Sequence, residues 1–382
     1  MERKRLIVGI DASRCRSGGA QAHLVGILSE IDPKEHGIEQ IHLWTFRALA
    51  EKIPNAQWLI KHEIRLIRMS LVEELFWQAV SLKRALRRAE CDVLFTADAS
   101  TVNAFTPQVV LSQDLLSYED GIMQLFGWGP RRLRLIAIRF LQNRAFRRAS
   151  GVMFLSSYSS EVIQRSCGVL SRTAIVPHGV ATEFFEVRPD YNWRQAGNKP
   201  IECVYVSNAE MYKHQWVVIK AIEMLKRRGY NVRLQLIGGG SGAAQAKTMA
   251  QMLLSDPEGK YIRQHEFISH HELPGHLAKA HIFIFASSCE TFGITLLEGM
   301  AAGLPIACSN RSSLSEILGQ AGVYFDPEDS ESIREAVELL IEDRDLRQKL
   351  GAQARSLAME YSWRKCAAQT FDFIAETIGR KA

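Results

Sequence analysis

Short apolar runs alternate with longer amphipathic segments along almost the whole chain, and this alternation demands parallel strands covered by helices. In the first half the strand candidates are Leu6 to Ile10, Asp92 to Phe95, Gln108 to Leu111, Val152 to Leu155 and Ala174 to Val176. Each is short, apolar and β-branched-rich enough to be a strand buried on both faces. Between them the helical period shows: Leu24, Val25, Ile27, Leu28 and Ile31 share a face after a Gly18-Gly19 turn.

The pattern breaks between Glu186 and Lys199, where the sequence is polar, proline-flanked and aperiodic, as an interdomain linker would be. It then restarts. Strands are predicted at Ile201 to Val206, Val232 to Ile237, Ile282 to Phe285, Pro305 to Cys308 and Val323 to Phe325, with helices at 215–228, 294–302 and 332–343. A chain of 382 residues exceeds what one core usually supports. The reading is therefore an α/β protein of two Rossmann-like domains. The first is 1–188, joined by a C-terminal helix over about 363–382; the second is 199–362. Two such domains predict a cleft at the carboxyl ends of their strands.

Composition narrows the class. No apolar run reaches the ~18 residues of a membrane-spanning helix, and Leu6 to Ile10 is too short for a signal-peptide core. The seven cysteines are scattered without a CxxC pair, so neither a disulfide framework nor a structural zinc site is expected, and the setting is read as cytoplasmic and reducing. A net charge of +5 does not announce a nucleic-acid binder. Its distribution is uneven, however: Arg131 to Arg148 holds seven arginines and no acid, interleaved with Leu133, Leu135, Ile136, Ile138, Phe140, Leu141 and Phe146. Such a helix either lies on an anionic membrane or packs its apolar face on a sheet with its arginines in water.

The stretch from Ser287 to Pro305 carries the chemistry. A buried strand ends in a small polar loop, and a helix starts near Gly293 or Ile294, offering free N–H groups and a positive dipole end to a phosphate. Glu298 falls one turn in, among Leu296, Leu297 and Met300. There it is either a buried carboxylate awaiting hydroxyl partners or a solvent-facing helix residue. Glu290 sits in the loop, as a hydroxyl acceptor or a cap.

Glu290 and Glu298 with seven residues between, Phe292-Gly293 inside and Gly303-Leu304-Pro305 after, resemble the signature of the retaining glycosyltransferases of family 4, also called glycosyl transferases group 1. Ser309-Asn310, Glu316-Ile317, Ala321-Gly322 and Asp326-Pro327 extend the resemblance. It implies the GT-B fold, with two Rossmann-like domains facing a cleft and the last helix returning to the first domain. By the same resemblance Glu290 would hold donor hexose hydroxyls, assisted by backbone at Phe292 and Gly293. Ile294 and Thr295 would face the donor phosphates, and Glu298 the ribose. Lys213 matches the family lysine that neutralises the leaving diphosphate, and Asn208 stands near the place of its arginine. Gly18 and Gly19 resemble the amino-terminal glycine pair that approaches the donor phosphate. Gln113 and Asp114 lie on the acceptor side, Gln113 standing in place of a histidine. Gly238 and Gly239 would form the glycine turn at the nucleotide, with Phe267 and Ile268 in a strand, 265–268, beside the base. His178, in a Pro-His-Gly-Val turn, is read as structural.

The resemblance implies hexosyl transfer from a nucleotide sugar, GDP- or UDP-linked, to a saccharide or lipid-linked acceptor in surface polysaccharide assembly. No cofactor is expected, and no Asp-x-Asp motif marks a metal site in the first domain. Three rivals share the pattern: a nucleotide-sugar epimerase, a non-catalytic nucleotide-sugar binding subunit and, given the incomplete fingerprint at Gly238-Gly239-Gly240, a nicotinamide dehydrogenase.

Overall fold

The computed structural model describes residues 6–64, 71–192 and 199–379. It divides into two compact units, one formed by 1–123, 127–179 and 362–382, the other by 124–126 and 180–361.

The first unit holds a seven-stranded parallel sheet in the order β3-β2-β1-β4-β5-β6-β7. Its strands are β1 (Leu6–Asp11), β2 (Ile38–Thr45), β3 (Leu59–Glu63), β4 (Val93–Thr96), β5 (Gln108–Leu111), β6 (Gly151–Phe154) and β7 (Thr173–Ile175). The central strands are buried end to end, which explains why they read as unbroken apolar runs. β2 and β3 were not expected from the sequence. In β2 the polar Glu39, Gln40 and His42 interrupt the run, and β3 is an edge strand that is mostly half-exposed.

Helix α1 (Gly18–Glu30) begins at the Ser17 cap, whose Oγ accepts from the Ala20 N–H at 3.3 Å. Gly18 and Gly19 are thus its first two residues and not a turn before it. The long helix α2 (Pro130–Arg148) precedes β6.

The second unit holds a six-stranded parallel sheet, β10-β9-β8-β11-β12-β13. Its strands are β8 (Ile201–Val206), β9 (Val232–Ile237), β10 (Ile262–His265), β11 (Ile282–Phe285), β12 (Ile306–Ser309) and β13 (Val323–Phe325). Helix α3 (Gln215–Arg227) follows β8, and α4 (Ile294–Ala301) lies between β11 and β12. The predicted strand over 265–268 is displaced: β10 ends at His265, and 266–269 form a loop.

The last helix, α5 (Trp363–Thr377), belongs to the first unit and packs on α1. Gly26 permits this approach, since a Cβ there would lie 2.2 Å from the Trp363 ring. The boundary between units differs from expectation. Residues 180–188 group with the second unit because Phe184 is buried against His270 and the Phe185 carbonyl accepts from Arg355. The described part of the expected linker is packed rather than free: Tyr191 donates its hydroxyl to the Gly303 carbonyl at 2.6 Å, and the buried Arg347 holds the Tyr191 carbonyl at 2.9 Å. Residues 193–198 of that linker lie outside the described residues.

Candidate functional site

Strand order reverses between β8 and β11 in the second sheet, and carboxyl ends at such a switch point leave a crevice. The loop leaving β8 carries Lys213, and the loop leaving β11 carries Glu290. The two meet there in an ion pair between Nζ and Oε1. Lys213 is buried in a single 3-10 turn (Met211–Lys213), and its carbonyl accepts the Tyr205 hydroxyl at 2.7 Å. The same two loops are joined again by Ser288, whose N–H donates to the Tyr212 carbonyl at 2.8 Å and whose Oγ meets His214 Nε2 at 2.9 Å. Burial pushes the His214 imidazole down to about 4, so it is neutral at physiological pH. From the other side Ser312 and Ser313 donate to the Glu290 carbonyl at 2.8 and 3.0 Å.

Gly293 opens α4 at φ +91°, a left-handed conformation that glycine adopts without strain. No side chain among the described residues caps the helix. The N–H groups of Leu296 and Leu297 return to the Gly293 carbonyl, whereas those of Ile294 and Thr295 precede any intrahelical acceptor. Phe292 anchors the turn from the core, its ring 5.6 Å from Tyr361.

Glu298 settles the alternative left open by the sequence, for it is 4% exposed and lies on the buried face of α4. Burial raises its carboxyl above the usual range, and His270 opposes the rise. His270 Nε2 lies 2.7 Å from Glu298 Oε1, while Oε2 is buried with no hydrogen-bond partner among the described residues.

Other expected residues fall around this centre. Gly238, at φ +112°, is pressed so close to Ser207 that a Cβ would lie 2.3 Å from its carbonyl oxygen. Gly239 bonds the Glu266 and Ala209 backbones at 2.9 and 3.0 Å. Asn208 is exposed between these turns. Phe267 is 87% exposed and Ile268 half-buried, both in the loop after β10. His270, Ser312 and Ser313 were missed by sequence reasoning. The serines form a run just after β12, but His270 has no spacing signal.

In the first unit strand order reverses between β1 and β4, and a cavity of about 330 Å³ opens at their carboxyl ends. Arg14, Asp98, Gln113, Asp114, Arg134 and Gln142 are among its lining residues. Gln113 donates to the Ala97 carbonyl at 3.0 Å, and Asp114 accepts the Leu116 N–H at 2.9 Å with its carboxyl raised by burial. Gly18 and Gly19 have open space where a side chain would project. His178 is buried with its Nδ1 3.1 Å from His23 Nδ1, and burial drives both rings neutral, as a structural role requires.

Helix α2 matches neither of its two expected forms in full. Leu135, Gln142, Ala145 and Phe146 face inward, yet Leu133, Ile136 and Phe140 are 65%, 46% and 71% exposed beside exposed arginines.

Residues 190–357, almost the whole of the second unit, match the family described as Glycosyl transferases group 1. The second unit belongs to the glycosyl transferases group 1 family. The relatives of this group 1 unit agree. The O-antigen chain mannosyltransferase B of Escherichia coli is 28% identical over 170 residues, 44% of each chain. The GDP-mannose-dependent alpha-(1-6)-phosphatidylinositol monomannoside mannosyltransferase of Mycolicibacterium smegmatis is 27% identical over 65% of this chain and 67% of its own. The chain thus spans under half of the first relative's length and about two thirds of the second's. The fold is shared over nearly the full length with glycosyltransferases. Sucrose-phosphate synthase of Thermosynechococcus elongatus superposes with a TM-score of 0.76 at 15% identity, covering 96% of this chain and 97% of its own. Anabaena HepE, solved with UDP and glucose, gives 0.72 at 17% identity over 98% of this chain and 100% of its own. Among the described residues no helix is long and apolar enough to cross a membrane.

Proposed function

We propose that the chain moves a hexosyl group from a nucleotide sugar to an acceptor with retention at the anomeric carbon. The observation that carries this reading is the Lys213–Glu290 pair, set at the β8/β11 switch point beside the uncapped start of α4. Lys213 and the first N–H groups of α4 offer positive charge where a leaving diphosphate develops negative charge. Glu290, with its backbone pinned by Ser312 and Ser313, would orient the hexose hydroxyls. Attack is assigned to the front face, as the family resemblance implies, rather than to a covalent nucleophile of the glycosidase kind. The anomeric carbon–oxygen bond to phosphate breaks as the bond to the acceptor oxygen forms. The acceptor proton passes to the departing diphosphate.

The donor is a GDP- or UDP-hexose, a reading supported by the GDP-mannose of the Mycolicibacterium relative's name and the UDP of HepE. No cofactor beyond the donor takes part, and transfer is expected to persist in chelator. The acceptor is a saccharide or lipid-linked saccharide of surface polysaccharide assembly, in keeping with the O-antigen and phosphatidylinositol mannoside relatives. The exposed face of α2 would contact the anionic inner face of a membrane, and nucleic acid is not a partner. The epimerase and dehydrogenase readings find no counterpart in these relatives.

Thermal midpoints measured with saturating GDP, UDP, ADP and dTDP test the donor reading. Ligand at a hundredfold its dissociation constant stabilises by about 2.7 kcal/mol, a shift of several degrees. A shift with GDP or UDP, followed by transfer from the matching sugar nucleotide to a lipid-linked saccharide, supports the assignment. No shift with any of the four overturns it.

A further inference from the structure

We infer that His270 is a positioning residue that holds the Glu298 carboxylate in place for the donor ribose, an inference that rests on the nucleotide-sugar reading above. Glu298 is a buried acid with its two oxygens in unequal circumstances: Oε1 is taken by His270 Nε2 at 2.7 Å, and Oε2 has no partner among the described residues. A buried carboxylate oxygen left unpaired is costly, so a ligand that donates to it gains what the protein lacks. Two vicinal hydroxyls are such donors.

The imidazole is built to hold this orientation. His270 opens a one-turn 3-10 helix (His270–Glu272) fixed by a reciprocal cap, in which the Ser269 N–H donates to Glu272 Oε2 at 3.0 Å and the Ser269 side chain accepts from the Glu272 N–H. Its ring lies edge-on to the buried Phe184, 5.5 Å between centroids. Two sides of the imidazole are therefore set by the second unit itself, while the side chain stays 60% exposed, open to an arriving nucleotide. A single donor at Nε2 suffices to fix Oε1; it fixes the carboxylate plane and so directs Oε2. The contact joins the loop after β10 to the helix after β11 within the same unit.

The test compares binding of GDP and UDP with that of their 2′,3′-dideoxy forms, by calorimetry, in the wild type, His270→Ala, His270→Gln and Glu298→Gln. The wild type is expected to prefer the ribose form of the bound nucleotide by about tenfold or more, the worth of a hydrogen bond to a charged group. His270→Ala should lose most of that preference while its affinity for the dideoxy form stays unchanged. His270→Gln, which presents an amide donor near the position of Nε2, should recover much of it, and Glu298→Gln should lose it. A wild-type preference that survives intact in His270→Ala overturns the role of His270 and leaves the donor reading standing. So does an equal loss for both forms, which would mark a merely structural residue. Failure of the wild type to bind either nucleotide overturns the donor reading and this inference with it.

Discussion

Lys213 Nζ is bonded to Glu290 Oε1 across 77 residues of sequence, each side chain only 11% and 15% exposed. The loops after β8 and β11 hold the two groups against each other, so the fold itself orients both. Preorganised charge is what stabilises a leaving diphosphate without reorganisation at the moment of reaction. Lys213→Ala is expected to lower kcat for hexosyl transfer by about 10²- to 10³-fold while nucleotide affinity falls much less. Glu290→Gln should likewise retain nucleotide binding and lose turnover with the sugar nucleotide. Rates followed by release of labelled nucleoside diphosphate check both. Near-normal turnover in Lys213→Ala would remove the lysine from the mechanism.

Asp11, at the end of β1, gives the first unit a pH dependence of defined sign. Its carboxyl is 3% exposed, and burial pushes it up to about 6 despite the Ser13 N–H at 3.0 Å. The folded chain therefore binds this proton more tightly than the unfolded chain, whose Asp titrates near pH ~3.9. Stability due to this group is present below about pH 4 and is lost as pH rises toward 6, amounting to roughly 3 kcal/mol above that. In Asp11→Asn the Oδ1 acceptor for Ser13 is kept. Gln78, which donates toward Oδ2 at 3.4 Å and has a buried Oε1 without partner among the described residues, needs only an amide flip to pair with the new NH₂. The variant should be more stable than wild type at pH 7.5 and equal to it near pH 4. The neutral His23, held down to about 3, favours the fold above about pH 6.5 in both proteins and cancels in the difference. Denaturant midpoints at the two pH values decide, and a variant that is less stable at pH 7.5 refutes the sign.

Gly26 and Gly18 sit on one helix in opposite circumstances. A Cβ on Gly26 would strike the rigid Trp363 indole at 2.2 Å, whereas one on Gly18 meets nothing within 4 Å. Gly26→Ala should cost about 1–3 kcal/mol by forcing α5 off α1. Gly18→Ala should be neutral or stabilise by up to about 1 kcal/mol, because alanine restricts the unfolded chain more than glycine does. Thermal midpoints that fall equally in both would contradict the packing of α5 on α1.

What the sequence disclosed follows burial closely. Strands β8, β9 and β11 were legible because they lie mid-sheet, where apolar residues dominate the run. β10 was read three residues too late: at the sheet edge only Ile262 is buried, and the more apolar Phe267 just beyond it faces solvent. The polar stretch after Glu186 reads as free linker, yet Tyr191 is tied into the second unit by its hydroxyl and its carbonyl, contacts that no periodicity records. Glu290 and Glu298 are legible because loop and helix fix their spacing locally, whereas Lys213 is picked out only by the resemblance. His270 is not legible, since its contact with Glu298 depends on how the loop after β10 is placed against α4, which is a tertiary relationship.

The exposed face of α2 makes the last prediction. Leu133, Ile136 and Phe140 follow at helical spacing along its outward side, with Arg144 and Arg148 exposed farther along the helix and Trp128, 86% exposed, just before it. No acid lies between Arg131 and Arg148 to offset the charge. Exposed apolar side chains ringed by arginine suit the boundary between headgroups and acyl chains of an anionic bilayer, where each basic residue contributes about 1 kcal/mol. The protein should sediment with phosphatidylglycerol-containing vesicles far more than with phosphatidylcholine alone, and less as salt rises, since screening shortens the reach of the charges. Arg144→Glu with Arg148→Glu should reduce binding about tenfold or more. Leu133→Ser with Phe140→Ser should weaken it while leaving the dependence on salt unchanged. Equal binding to both vesicles, or none to either, would show that this face meets something other than an anionic membrane.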